Sequence, residues 1–235
     1  MFSDQVIANI DNALRTLTGQ QVGSDRPYPA RDIPDTLLRP WERQRAGRMM
    51  RVNHAGEIMA QALYTGQATG TDDPELQEQL QRARTEEEDH LRWCEARLRE
   101  LDSRPSLLAP LWYGAGWSMG FLAARRGRAS NLGLVVAVEN QVEEHLNSHL
   151  AELPADDNRS RAIVAQMRDD EVGHAAKAEE LGAEELPMPI RLAMGVFSKI
   201  LTRGGAVDLT AQEKPLPDVG AGRICNWAPP AKWMR

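Results

Sequence analysis

One repeated spacing constrains this chain more than any other feature. Glu87 and His90 stand three residues apart in Glu87-Glu88-Asp89-His90, and Glu171 and His174 repeat the interval in Glu171-Val172-Gly173-His174. Residues at i and i+3 share one helix face, so each pair offers a carboxylate and an imidazole from adjacent positions. A single Glu-x-x-His carries little information, because chance supplies roughly 0.4 such pairs in a chain of this composition. What precedes the pairs gives them meaning. Glu57 lies 30 residues before Glu87, and Glu139 lies 32 before Glu171. Both midpoints fall in turn signals: residue 72 in Thr71-Asp72-Asp73-Pro74, residue 155 in Pro154-Ala155-Asp156-Asp157-Asn158. In an antiparallel helical hairpin, residues equidistant from the turn share one height, here about 22 Å from it. The chain therefore reads as two hairpins, each with a lone Glu on one helix and Glu-x-x-His on the next.

Local signals agree with that reading. Good helix formers run from about residue 40 to Gly70. Asp capping and a Pro at the first position start a second helix, Pro74 to about Leu101. A third covers about Asn131 to Leu153, and a fourth runs from the 154–158 turn to Leu181, with Gly182 as its stop. Leu134-Val135-Val136-Ala137-Val138 is rich in β-branched residues but lacks alternation and a hairpin partner, so it is read as helix. At the N-terminus Ile7, Ile10, Leu14 and Leu17 recur at helical spacing, and Asp4 and Asp11 argue against a signal peptide. This is an amphipathic helix; Gly19 to Pro40 then reads as a linker with little regular structure. The expected divisions are 1–38 for this helix and linker, 39–203 for the all-α bundle domain, and 204–235 for a Gly/Pro-rich, poorly ordered tail.

Composition excludes several classes. At 42% hydrophobic and 26% charged the chain is neither disordered nor collagenous. A net charge of −6 gives no case for nucleic-acid binding. Cys94 and Cys225 form no metal-finger or disulfide framework, which points to a reducing, cytoplasmic setting. The average hides one outlier, the uncharged run Pro105 to Ala124, bracketed by Arg104 and Arg125. Its length permits a membrane span, but Pro110 and three glycines split it, so a buried or membrane-surface segment is preferred. Pro187 to Leu201, with Ile190, Met194, Phe197 and Leu201 on one face, reads as an additional C-terminal helix.

A lone Glu from each of two helices and Glu-x-x-His from each of two others is the ligand set of carboxylate-bridged dinuclear centres in four-helix bundles. His90 to Glu139 leaves room for the long crossover such bundles need. Four carboxylates balance two divalent metals; without metal they would repel one another and take up protons. Glu86 to Asp89 and Asp169-Asp170-Glu171 would each, alone, be solvated helix faces. Glu57 sits among small and apolar residues, and Glu139 closes an apolar run, a costly place for an unpaired charge. The candidate ligands are thus Glu57, Glu87, His90, Glu139, Glu171 and His174. His145 is a candidate support for them, while His54 and His149 are left as ordinary polar residues. Glu and His without thiolate suit iron or manganese, and iron is favoured on chemistry.

Arg51 to Glu57, Glu87 to His90, Val136 to Val142 and Asp169 to His174 resemble the Coq7 family of ubiquinone biosynthesis, over about residues 40 to 203. The resemblance implies a ferritin-like bundle with two irons per chain on the six residues named, Glu87 and Glu171 bridging, and molecular oxygen as co-substrate. It implies a monooxygenase that hydroxylates the ring of a polyprenyl methoxy-benzoquinol, working peripherally at the cytoplasmic face of the bacterial inner membrane. Partners would be that quinol, the membrane surface and other ubiquinone-biosynthesis proteins. On this reading Leu107 to Ala124, with Trp112, Trp117 and Phe121, and Pro187 to Leu201 form an interfacial surface admitting the prenyl tail. Animal members carry a Tyr after the His aligned with His145; Leu146 stands there, so no role of that Tyr carries over. A different di-iron hydroxylase, for instance one modifying tRNA, and a non-enzymatic iron store or helical scaffold are the competing readings.

Overall fold

Capping chemistry sets the helix boundaries. Glu42 accepts the backbone N–H of Arg39 at 2.8 Å, and Asp73 accepts those of Glu75 and Leu76, so two helices start at prolines whose missing N–H costs nothing there. Asp157 caps Ser160 at 3.0 Å. The computed structural model describes residues 2–24 and 26–206, and all regular structure among them is helical. The order is α1 (Phe2–Thr18), α2 (Pro40–Gly70), α3 (Pro74–Glu100), α4 (Ala109–Ala124), α5 (Arg128–Glu152), α6 (Asn158–Glu180) and α7 (Met188–Ala206). Helix α5 starts three residues before the expected Asn131, because Gly127 at φ 112° turns the chain immediately after α4. The expected tail lies outside the described residues from 207 on; residues 204–206 continue α7.

Helices α2/α3 and α5/α6 are the two hairpins, and together they form a four-helix bundle. Its interior is layered. Met50, Trp93, Leu146 and Met167 build one apolar layer, while Tyr64, Leu80, Val135 and Ala178 build another. Along every helix the predicted ligands lie between these layers, about one to two turns from each.

The uncharged run does not leave the protein. It forms α4 and lies against α2 at backbone contact. A Cβ at Gly66 would sit 2.1 Å from the Trp117 carbonyl oxygen, and one at Gly120 would sit 2.1 Å from that of Leu63. No helix among the described residues is long and apolar enough to cross a membrane. Trp112, expected on an outer surface, is buried edge-on against Phe197 of α7. The exposed apolar residues of this segment are instead Leu107, Leu111 and Leu122.

Helix α1 inverts the usual amphipathic rule. Ile7 is 65% exposed, and Ile10 and Leu14 also face outward. Its polar side does the docking: Asn9 bonds Thr69, and Asn12 bonds Thr65 and Tyr113. The Gly19–Pro40 stretch has little regular structure, yet it is no loose linker. Ala30 and Leu38 enter the core, and Arg159 donates to the Ile33 carbonyl at 2.5 Å.

Candidate metal centre

All six residues singled out by spacing converge. Glu57, Glu87, His90 and Glu171 form one group, and Glu87, Glu139, Glu171 and His174 form another; within each, the donor atoms lie within 4.8 Å of one another. Glu87 and Glu171 belong to both groups. Nδ1 of His90 lies 3.2 Å from Glu87 and 3.3 Å from Glu171. Nδ1 of His174 lies 3.1 Å and 3.2 Å from the same two carboxylates. Glu57 is 3.7 Å from His90. The four carboxylates and His90 are buried, and His174 is half-buried.

The far side of each imidazole meets a carboxylate on the opposite hairpin. Nε2 of His90 lies 2.8 Å from Asp170, and Nε2 of His174 lies 3.0 Å from Glu86. Such partners fix the ring's tautomer and turn Nδ1 inward. Sequence reasoning missed both, having taken the acidic runs for solvated faces. The signal was present: in each half an acid immediately precedes the Glu of Glu-x-x-His. The first run is in fact half interior, with Asp89 buried as well as Glu87. Tyr64, two helical turns beyond Glu57, was also missed; it donates to Glu139 at 2.5 Å.

The electrostatics are those of a charge cluster in a dry place. Burial, and then neighbouring carboxylates, push Glu57 and Glu139 well above the usual carboxylate range. Burial acts on Glu87 too, but His90 and His174 outweigh it and hold Glu87 below that range. Burial opposes charge on both imidazoles, yet the surrounding carboxylates raise them. Oε2 of Glu57 and Oε1 of Glu87 are buried without a hydrogen bond, and buried acceptors of this kind ordinarily have a partner. Four carboxylates, two imidazoles and inward-facing orphaned oxygens fit a pair of divalent cations with oxygen and nitrogen preference.

His145 hydrogen-bonds none of the six. Its ring packs on His149 at 4.0 Å between centroids, and burial pushes it down to about 4. His149 is buried, as is His54, whose Nε2 lies 3.4 Å from Glu95.

His145 lines a cavity of about 820 Å³, its open mouth included, between α2, α4, α5 and α7. Leu63, Met119, Val142, Met194 and Phe197 make its wall apolar, and Glu57, Glu139 and Glu171 also line it, so it reaches the cluster.

The sequence matches the family described as ubiquinone biosynthesis protein COQ7 over residues 44–204. It is 52% identical over 199 residues to a 3-demethoxyubiquinol 3-hydroxylase of Azoarcus sp. (strain BH72), covering 85% of this chain and 96% of that protein. Proteins of the same name from Herbaspirillum seropedicae, 49% identical over 86% of this chain and 96% of theirs, and Bordetella parapertussis, 50% identical over 85% and 90%, are similar to it.

Proposed function

The chain belongs to the COQ7 family of ubiquinone biosynthesis proteins, and on that premise we propose its reaction in residue detail. It is a 3-demethoxyubiquinol 3-hydroxylase, an oxygen-dependent monooxygenase acting on a quinol ring. The observation that carries the detailed reading is the meeting of six convergent metal-type donors with the wall of an apolar cavity.

Two irons are assigned to the cluster. Glu57 and His90 would serve one, Glu139 and His174 the other, with Glu87 and Glu171 shared. Ferrous iron supplies the electrons for oxygen reduction that no side chain here can provide. The chain's own residues set the stage for it. Asp170 and Glu86 hold the Nε2 protons of the two imidazoles, leaving Nδ1 free as a donor atom. Tyr64 holds Glu139. The apolar cavity would take the substrate ring with an unsubstituted carbon toward the carboxylates, and keep bulk water away from the reacting atoms.

A polyprenyl tail would leave through the cavity mouth. Leu111 and Leu122 on α4, Leu192, Val196 and Ile200 on α7, and Ile7, Ile10 and Leu14 on α1 are exposed. All three helices flank α2. That apolar surface, with Arg104, Arg125 and Arg126 at the ends of α4, supports a peripheral seat on an anionic membrane at the cytoplasmic face.

The test is turnover by the purified chain, reconstituted anaerobically with ferrous iron and given a short-chain demethoxyquinol, a reductant and oxygen. Ring hydroxylation that requires iron and disappears in Glu171→Ala is expected. A chain that takes up no iron would overturn the assignment.

A further inference from the structure

The two halves of the cluster are nearly superposable in chemistry but not in support. Glu86, behind His174, keeps 44% of its side chain exposed. Asp170, behind His90, keeps 15%. What covers Asp170 is Arg26, from the irregular segment between α1 and α2. Its Nη2 donates to Oδ2 of Asp170 at 2.6 Å, the same oxygen that lies 2.8 Å from His90. Its guanidinium also stacks over Trp93 at 4.9 Å, and the Trp93 ring lies 5.3 Å from that of His90. Gln166 holds the other oxygen of Asp170 at 3.0 Å.

The segment carrying Arg26 is tied to α3. The backbone N–H of Gly23 donates to Glu88 at 3.0 Å. Ser24 gives both its N–H and its hydroxyl to the buried Asp89. Arg92 donates to the Val22 carbonyl at 2.7 Å. Gly23 stands at φ +71°, where a Cβ would lie 2.3 Å from Asp89, so the segment follows this path only with glycine there.

We propose that Arg26 is a positioning residue for the metal position on the His90 side, and that the 20–39 segment thereby makes the two positions unequal. This rests on the reading that the cluster holds two metals. Arg26 stays outside the ligand set and acts through Asp170: it fixes the carboxylate that fixes the imidazole. A planar donor that bonds a carboxylate and stacks on an indole together is arginine's chemistry, which lysine reproduces only in charge.

The experiment follows chelator-driven release of ferrous iron from the loaded full-length chain. Wild type is expected to release in two phases. Arg26→Met is expected to speed the slower phase about tenfold, the low end for loss of a ligand's support, and to leave the faster phase within about twofold. Arg26→Lys should recover part of the difference, and Ser24→Ala, which loosens the segment without touching Arg26, should speed the same phase. In an Asp170→Asn background Arg26→Met should add nothing, an outcome general destabilisation would not give. Near-infrared circular dichroism of the diferrous protein should change for one iron alone. A single phase in wild type, equal acceleration of both phases, or additivity with Asp170→Asn would overturn the proposal while leaving the two-metal centre standing. Failure to load any iron would overturn both.

Discussion

Tyr64 of the first hairpin donates its phenolic hydrogen to Glu139 of the second at 2.5 Å, and both are buried. The bond ties the hairpins together at the height of the cluster. Burial, with the charge of Glu139 added, holds the phenol well above its usual range, so it remains a donor. Tyr64→Phe strips a buried carboxyl of its donor. It is expected to cost the metal-free protein about 1–3 kcal/mol, read as a lower urea midpoint at unchanged slope. An unchanged midpoint would mean that Glu139 finds another partner.

Sharing of Glu87 and Glu171 between the two groups predicts a pattern of stoichiometry. Wild type should bind about two ferrous ions. Glu57→Ala and Glu139→Ala should each lose one, whereas Glu87→Ala or Glu171→Ala should fall below one. Anaerobic iron titration reads this directly. Equal loss in all four variants would contradict the shared role.

Metal binding should also stabilise the fold. Ferrous iron at about a thousand times its dissociation constant adds about 4 kcal/mol per site. The melting temperature of the wild-type chain should therefore rise with iron, and that of Glu171→Ala should barely move.

The α2–α4 contact admits no side chain at its closest points. Gly120→Val would drive a Cβ into the Leu63 carbonyl, and nearby backbone cannot yield as a flexible side chain would. A loss of about 1–3 kcal/mol is expected, visible as a lower denaturation midpoint. Gly114→Ala, in open space on the same helix, is the control and should be neutral or slightly stabilising.

The packed pair His145 and His149 contributes a loss of stability in mild acid. His145 at about 4 in the folded chain lies below its ordinary 6.5, and burial lowers His149 as well. Between those values the unfolded chain binds more protons than the folded one. Their contribution to stability is therefore full above about pH 6.5 and is lost as pH drops toward 4. From pH 7 to 5, His145 accounts for about 2 kcal/mol. Protonation of the raised Glu57 and Glu139 in the metal-free protein acts in the opposite direction, so the histidine contribution is read as a difference. Between pH 7 and 5, urea titrations should show His149→Leu losing less, or gaining more, stability than wild type.

If the exposed apolar rows seat the protein on lipid, Leu111, Leu122, Val196 and Ile200 carry the contact. Replacing all four with Ser removes several kcal/mol of apolar transfer. Co-sedimentation with anionic vesicles should weaken more than about tenfold, with the melting temperature nearly unchanged. Undiminished partitioning would direct attention to α1.

The sequence by itself determined the bundle and the six convergent residues. Both follow from local rules: a helix advances a fixed rise per residue, so two turns and four separations dictate which side chains share a height. Caps at Asp73 and Asp157 could be read because a helix start leaves N–H groups that a nearby side chain must meet. Only the tertiary structure decided the partners behind the ligands, Asp170 for His90 and Glu86 for His174. An acid before each Glu-x-x-His marks the candidates, but the pairs join different hairpins, and spacing does not say which imidazole each acid meets. It also decided which way α1 and α4 face. Amphipathic periodicity marks an apolar side but does not say whether core or surroundings will cover it. Helix α1 turns its asparagines inward because Thr65 and Thr69 wait there, and α4 turns Gly116 and Gly120 inward because glycine there allows backbone contact with α2. Arg26 lay furthest from reach, in a stretch without periodicity, where position is set wholly by long-range contacts.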